Sequence, residues 1–231
     1  MKRVVHEGAS ARTKLSVAVT TAFLALAALP AAADIITFDL TTGNSAISGF
    51  TGPYQMVTVN LTSSTTATIT FDSLDNGGNT YLMGGNAVGV NINAGSWTLS
   101  NITGTNALPG FTPGPYSDSG AMNMDGFGSF NQVGTSFDGF THSATEIVLS
   151  LTDTSGTWAS AANVLTPNAS GFEAATHTFV CADPCTQAEG ATATGFASGT
   201  GSSSSVPEPA TLGLLGVGLA GLGLGRRKRK S

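Results

Sequence analysis

The chain has 231 residues, of which only 10% are charged, against roughly 25% in an ordinary soluble domain. All nine Lys and Arg lie at the two ends: Lys2, Arg3, Arg12 and Lys14, then Arg226, Arg227, Lys228, Arg229 and Lys230. Thirteen of the fourteen acidic residues lie between them, so a middle near −13 is hidden inside a net charge of −5. Nucleic-acid recognition is excluded by this count, because phosphate contacts need Lys and Arg, and so are arginine clamps and lysine nucleophiles.

Residues 1–33 read as a signal peptide. Lys2, Arg3, Arg12 and Lys14 form a basic leading region, and Leu15 to Leu29 is an apolar stretch too short to span a bilayer comfortably. Pro30 breaks the run. Ala31, Ala32 and Ala33 then supply the small residues that signal peptidase accepts before Asp34. A retained N-terminal anchor is the alternative. No twin-arginine pair precedes the apolar run, which favours the general export route.

From 34 to 205, Thr, Ser, Gly and Asn fill 85 of 172 positions, a composition that suits strands joined by turns rather than helices. Alternation with a period of two marks the strands. Ile36, Phe38 and Leu40 face one way, with Thr37 and Asp39 opposite. Val57, Val59 and Leu61 alternate with Thr58 and Asn60, and Ala67, Ile69 and Phe71 with Thr66, Thr68 and Thr70. Thr62-Ser63-Ser64 is short enough to turn a hairpin between the last two runs. Asp72, Asp75, Asn76 and Asn79 then cluster in one turn, a candidate calcium site because Ca²⁺ takes six to eight oxygens. The spacing is not that of an EF-hand, and Asp and Asn also favour turns for conformational reasons of their own. Val88/Val90/Ile92 and Trp97/Leu99 are two further half-buried runs.

Residues 103 to 141 carry much Gly and Pro and little alternation, and are expected to be long loops over one end of the fold. Ile147/Leu149/Leu151 predicts another strand, and Ala159 to Leu165 one short helix. Together these runs predict an all-β domain over residues 34–200, an antiparallel β-sandwich of jelly-roll kind. Tyr116 and Trp158 fall in turn-like contexts and are the candidates for stacking on sugar rings. Trp97 shares a strand face with Leu99 and reads as core. Cys181 and Cys185 are the only cysteines, and in an exported chain that spacing predicts a disulfide that clips a small turn. With His177 they leave a His/Cys/Cys metal site as the alternative. Glu146, Asp153 and Glu173 are the carboxylates on which a glycosidase could be built. No nucleophile elbow, zinc-protease helix or phosphate loop is present, and a non-catalytic protein is expected.

Gly201 to Ser205 is a flexible Gly/Ser linker. After it come Pro207-Glu208-Pro209, sixteen small and apolar residues from Ala210 to Gly225, and the stop-transfer cluster Arg226-Arg227-Lys228-Arg229-Lys230. Sixteen residues make roughly 24 Å of transmembrane helix, with the basic tail staying in the cytoplasm. The order of motif, Gly-rich span and basic cluster over 206–231 resembles the PEP-CTERM sorting signal of Gram-negative bacteria. That resemblance implies an exosortase substrate, exported to the cell surface or extracellular matrix and anchored transiently in the inner membrane. It also implies signal peptidase as a processing partner and an association with exopolysaccharide and biofilm matrix. The words MDGFGSFN (124–131), SFDGF (136–140), SGTWASAANVLTPN (155–168) and HTFVCADPC (177–185) are similar to functionally unassigned PEP-CTERM proteins.

The expectation is thus a polyanionic, exported surface or matrix protein with a structural or interaction role and no resident cofactor. A carbohydrate-binding module is the alternative, using Trp158 and Tyr116 with calcium in the acidic turn.

Overall fold

The computed structural model describes residues 34–137 and 139–201. The signal peptide with Ala31 and Ala33, most of the linker, the Pro207-Glu208-Pro209 motif, the span at 210–225 and the basic tail lie outside the described residues, as does Asp138. In chain order the strands are β1 (Asp34–Leu40), β2 (Thr42–Gly43), β3 (Gln55–Ser63), β4 (Thr66–Ser73), β5 (Asp75–Asn76), β6 (Asn79–Val90) and β7 (Trp97–Thr105). They continue with β8 (Tyr116–Asp118), β9 (Met122–Met124), β10 (Gly128–Phe130), β11 (Gln132–Ser136), β12 (Glu146–Asp153), β13 (Ala174–Ala182) and β14 (Ala193–Gly199). Single 3-10 turns occupy Phe140–His142 and Ala161–Asn163, the second within the stretch expected to be helical.

The molecule is all-β, and its sheets are antiparallel. One sheet has the order β1-β3-β4-β12-β7. The other has the order β2-β14-β13-β6-β11-β8, with β5 pairing a second side of β6 near its start. β9 and β10 pair only with each other. The alternation expected for β1, β3, β4 and β12 is met: Phe38, Val57, Val59, Ile69, Phe71, Ile147 and Leu149 are buried, while the Thr, Asn and Asp between them are not. The β3–β4 hairpin turns at Ser64-Thr65, where Ser63 Oγ accepts the N–H groups of Thr65 and Thr66 at 3.3 and 3.1 Å.

Two stretches differ from expectation. β6 is twelve residues long and buried on both faces, where only its last third showed a pattern. Tyr81, Met83, Val88 and Val90 enter the core shared with the five-stranded sheet. Leu82 points the other way, into a cluster with Phe179, Cys181 and Cys185. Residues 103–141 supply the cover. They are not loops alone but contain β8 to β11, and Leu108, Phe111, Phe140, Met124 and Phe130 pack on the far face of the second sheet. Gly89 lies directly under this cover, where a side-chain carbon would sit 3.3 Å from Met124 Cγ and 3.4 Å from Phe130.

Between the sheets lies one polar cluster. Gln55 of β3 is fully buried, and its Nε2 donates to the Tyr81 carbonyl and to Thr178 Oγ1, both at 3.1 Å. Its Oε1 accepts from Thr176 Oγ1 at 2.8 Å, and the two threonine hydroxyls are 3.0 Å apart. A buried amide left without partners costs far more than a satisfied one gains. Gln55→Ala is therefore expected to lower stability in equilibrium urea unfolding by about 2–4 kcal/mol, adding a cavity to the orphaned groups. Gln55→Met, similar in volume, should recover only part of that loss.

Candidate functional site

The two sheets meet along the edges formed by β7 and β8, and an open groove of about 240 Å³ lies there. A bulge in β7 helps to make it. Asn101 faces Ser150 and Leu99 faces Leu151, so Ser100 is an extra residue, and its Oγ donates to the Ser150 carbonyl at 3.1 Å. Such bulges re-aim side chains at sheet edges. Leu99, Ser100, Asn101 and Ile102 line one wall, and Tyr116, Ser117 and Asp118 the other. Asp118 Oδ1 accepts from Gly120 N–H at 2.8 Å and from Gln132 Nε2 at 2.7 Å, while Gln132 Oε1 accepts from Trp97 Nε1 at 2.9 Å. This chain fixes the carboxylate relative to both sheets.

Tyr116 is not the free sugar-stacking ring expected of it. It is half-buried against the main core, and its ring occupies the place where a side chain on Gly104 would stand. Its hydroxyl is buried without a hydrogen-bond partner, and burial pushes the phenol up to about 12. Trp158 departs further from expectation. It is only 3% exposed, sits in the core cluster, and donates through Nε1 to the Asn93 carbonyl at 2.8 Å. An aromatic residue in a turn-like stretch can still close the end of a core, and the Trp158 ring offers no open face.

The acidic turn is similarly occupied. Asp75 Oδ1 accepts from Thr80 Oγ1 at 2.6 Å, Asn76 Nδ2 donates to the Gly52 carbonyl, and Asn79 Nδ2 to that of Gly77 at 3.1 Å. Asp72 belongs instead to β4, outward-facing and directly opposite Glu146 of β12. Among the described residues no group of three or more His, Cys, Asp or Glu is placed to hold a metal ion. Cys181 and Cys185 form the expected disulfide, which packs against Leu82 and Phe179. His177 is drawn elsewhere: its Nδ1 meets the Gly84 carbonyl at 2.7 Å, its Nε2 meets Thr194 Oγ1 at 2.8 Å, and its ring stacks on Phe196.

The remaining carboxylates are separated by environment. Asp153 is held below the usual range by the Ser155 N–H, with the Ser155 hydroxyl and Gly156 N–H adding to it. Glu173 is pushed up by burial, against the Gly201 N–H that its Oε2 accepts at 2.8 Å. Asp34 Oδ2 accepts from the Ala161 N–H at 2.6 Å, tying the start of β1 to the second 3-10 turn.

Comparison with known proteins addresses the C-terminal residues. Residues 205–230 match the family model of the PEP-CTERM protein-sorting motif. The chain carries a PEP-CTERM sorting signal. That signal implies an exosortase-targeted, exported and cell-surface-directed protein. No curated protein and no solved structure matches the chain, and the family match does not extend into residues 124–199. Among the described residues no helix is long and apolar enough to cross a membrane, and the span expected at 210–225 lies outside them.

Two measurements test this geometry. Gly104→Ala should lower the melting temperature by displacing the Tyr116 ring, and Tyr116→Ala in the same chain should return part of the loss. A double-mutant cycle with no coupling would contradict the packing. At Asp72, burial and then repulsion from Glu146 raise the carboxyl pKa. A raised pKa means that the folded state disfavours the ionised form, so Asp72 opposes folding above its folded-state pKa and not below the unfolded one. Asp72→Asn should raise the melting temperature at pH 7, and the gain should vanish as pH falls through the carboxylate range.

Proposed function

We propose that this chain is an exported, exosortase-processed protein of the cell surface or extracellular matrix, where its β-sheet body has a structural or interaction role and catalyses no reaction. The sorting motif at 205–230 carries the reading. The span at 210–225 would serve as a transient inner-membrane anchor during processing, with the basic tail on the cytoplasmic side. The body that would remain outside has a charge of about −12 on residues 34–205, which keeps chains apart in a crowded matrix. Its fold reads best as a jelly-roll-like β-sandwich, because the chain passes repeatedly from one sheet to the other around a shared core.

Placement of the acids supports a non-catalytic role. Glu146 lies on the outer face of the five-stranded sheet, whereas Asp153 and Glu173 are buried and engaged by backbone N–H groups. No resident cofactor is needed by this reading. The second reading, a carbohydrate-binding module, keeps one supporting observation: the β7–β8 groove has polar walls and an orphaned Tyr116 hydroxyl. It does not draw on Trp158, and calcium in the acidic turn would have to displace the hydrogen bonds made there by Asp75, Asn76 and Asn79.

Intact mass of the protein recovered from its producing cells tests the main reading. The expected product begins at Asp34, ends near Pro207, and gains about 2 Da on reduction of the Cys181–Cys185 bridge. A species that still ends at Ser231 and stays with the inner membrane would contradict processing.

A further inference from the structure

We propose that Glu173 is a positioning residue for removal of the sorting signal. By holding the Gly201 N–H it ends the folded body at Gly201, and the spacer left before Pro207 is then only Ser202 to Val206. The inference rests on the exosortase-processed reading and adds how closely the body is held to the processing step.

The end of β14 is fastened twice beyond its own ladder. Gly199 closes that ladder: it faces Ala174 of β13, and its carbonyl accepts from the Glu173 N–H at 3.1 Å. Thr200 Oγ1 then donates to the Gly171 carbonyl at 2.7 Å, and the Gly201 N–H to Glu173 Oε2 at 2.8 Å. The first of these bonds is exposed to water, and the second is partly buried. Gly201 lies between the carboxylate and the Phe38 ring, where a side-chain carbon would sit 3.0 Å from each. Only a glycine lets the backbone come this close without displacing one of them.

Such a clasp is costly to build. Glu173 is 8% exposed, and burying a carboxylate costs free energy that its hydrogen bonds must offset. Burial raises its pKa, and the Gly201 bond works in the opposite direction. Asp118 and Asp153 accept from N–H groups two or three residues away, which closes local turns. Glu173 instead reaches 28 residues along the chain, to the last described residue before the sorting signal. What the bond fixes is the point at which the chain leaves the body.

That point matters because the remaining chain is short. An extended chain advances about 3.4 Å per residue, so Pro207 lies within about 20 Å of Gly201, and Ala210 within about 31 Å. With the apolar span in a bilayer, the headgroup layer takes up about 5–7 Å of the second distance. An enzyme acting near Pro207 therefore works beside the folded body. Loss of the clasp adds Thr200 and Gly201 to the spacer, about 7 Å more reach. Removing two residues from the spacer subtracts the same length.

Trimming of the full-length chain in its producing cells, followed by intact mass at timed intervals, tests the role. Deletion of Ser203 and Ser204 should slow removal of the sorting signal at least about tenfold, because the body then obstructs the approach to Pro207. Glu173→Ala in the shortened chain should restore most of the rate. Glu173→Gln keeps an acceptor for the Gly201 N–H and should leave the shortened chain slow. Gln55→Ala, which weakens the fold without touching the clasp, should leave it slow as well. Should Glu173→Ala fail to fold, Glu173→Asp is one carbon too short for Gly201 and should rescue in the same way. Trimming of the shortened chain at the wild-type rate, no rescue by a folded Glu173 variant, or equal rescue by Glu173→Gln or Gln55→Ala would overturn the clasp and leave the sorting reading standing. A wild-type chain that is never trimmed would overturn the sorting reading, and the role of Glu173 with it.

Discussion

Gln55 constrains how the two sheets can meet. Apolar side chains between sheets tolerate sliding, because any close-packed arrangement removes about the same area from water. An amide does not. Its donor must find the Tyr81 carbonyl and Thr178, and its acceptor must find Thr176, at a single offset of β3 against β6 and β13. The rest follows from that offset. Val57 and Val59, two and four residues along, come to lie in one core with Met83 and Val180. The opposite face of the same strand then presents Thr58 and Asn60 outward.

A second constraint is the absence of Lys and Arg from the body. Carboxylates in most domains are balanced by ion pairs, and here the backbone takes that role. Asp153 is met by the N–H groups of Ser155 and Gly156, Asp118 by that of Gly120, Glu173 by that of Gly201 and Asp34 by that of Ala161. Each bond is local to a turn or joins a strand end, so the acids serve as clasps for the chain. Asp72 and Glu146 instead face one another across two strands, and their repulsion raises the Asp72 pKa after burial does.

Legibility in the sequence followed the number of faces that a segment buries. β1, β3, β4 and β12 bury one face each, and their alternation was readable residue by residue. β6 buries both, which erases the period, and Gly84 and Gly85 interrupt its middle. The bulge that these glycines form opposite His177 is where the strand absorbs the extra residues. β8 to β11 were hidden because each is five residues or shorter and set among Gly and Pro, so no window held a full period. At the candidate site, the Cys181–Cys185 bridge was legible from spacing. The groove was not, since it depends on one extra residue at Ser100 and on the meeting of two sheet edges distant in the chain. Trp158 illustrates the limit of local context: its surroundings are polar, but its indole closes the core near Asn93.

The two outer faces of the molecule have opposite characters, and that asymmetry bears on role. The far face of the second sheet carries Phe179, Phe196, Leu82 and Ala175, and the chain covers it with its own 108–140 segment and the disulfide. Leaving such an apolar face open would invite aggregation among copies held at high density on a surface. Among the described residues, the far face of the five-stranded sheet has no such cover. It carries Thr, Ser and Asn side chains, and its acids are the row of Asp39, Asp72 and Glu146. The 108–140 segment thus covers the apolar face alone, and the other face, with its hydroxyl and amide side chains and one row of acids, has little of that kind to shield.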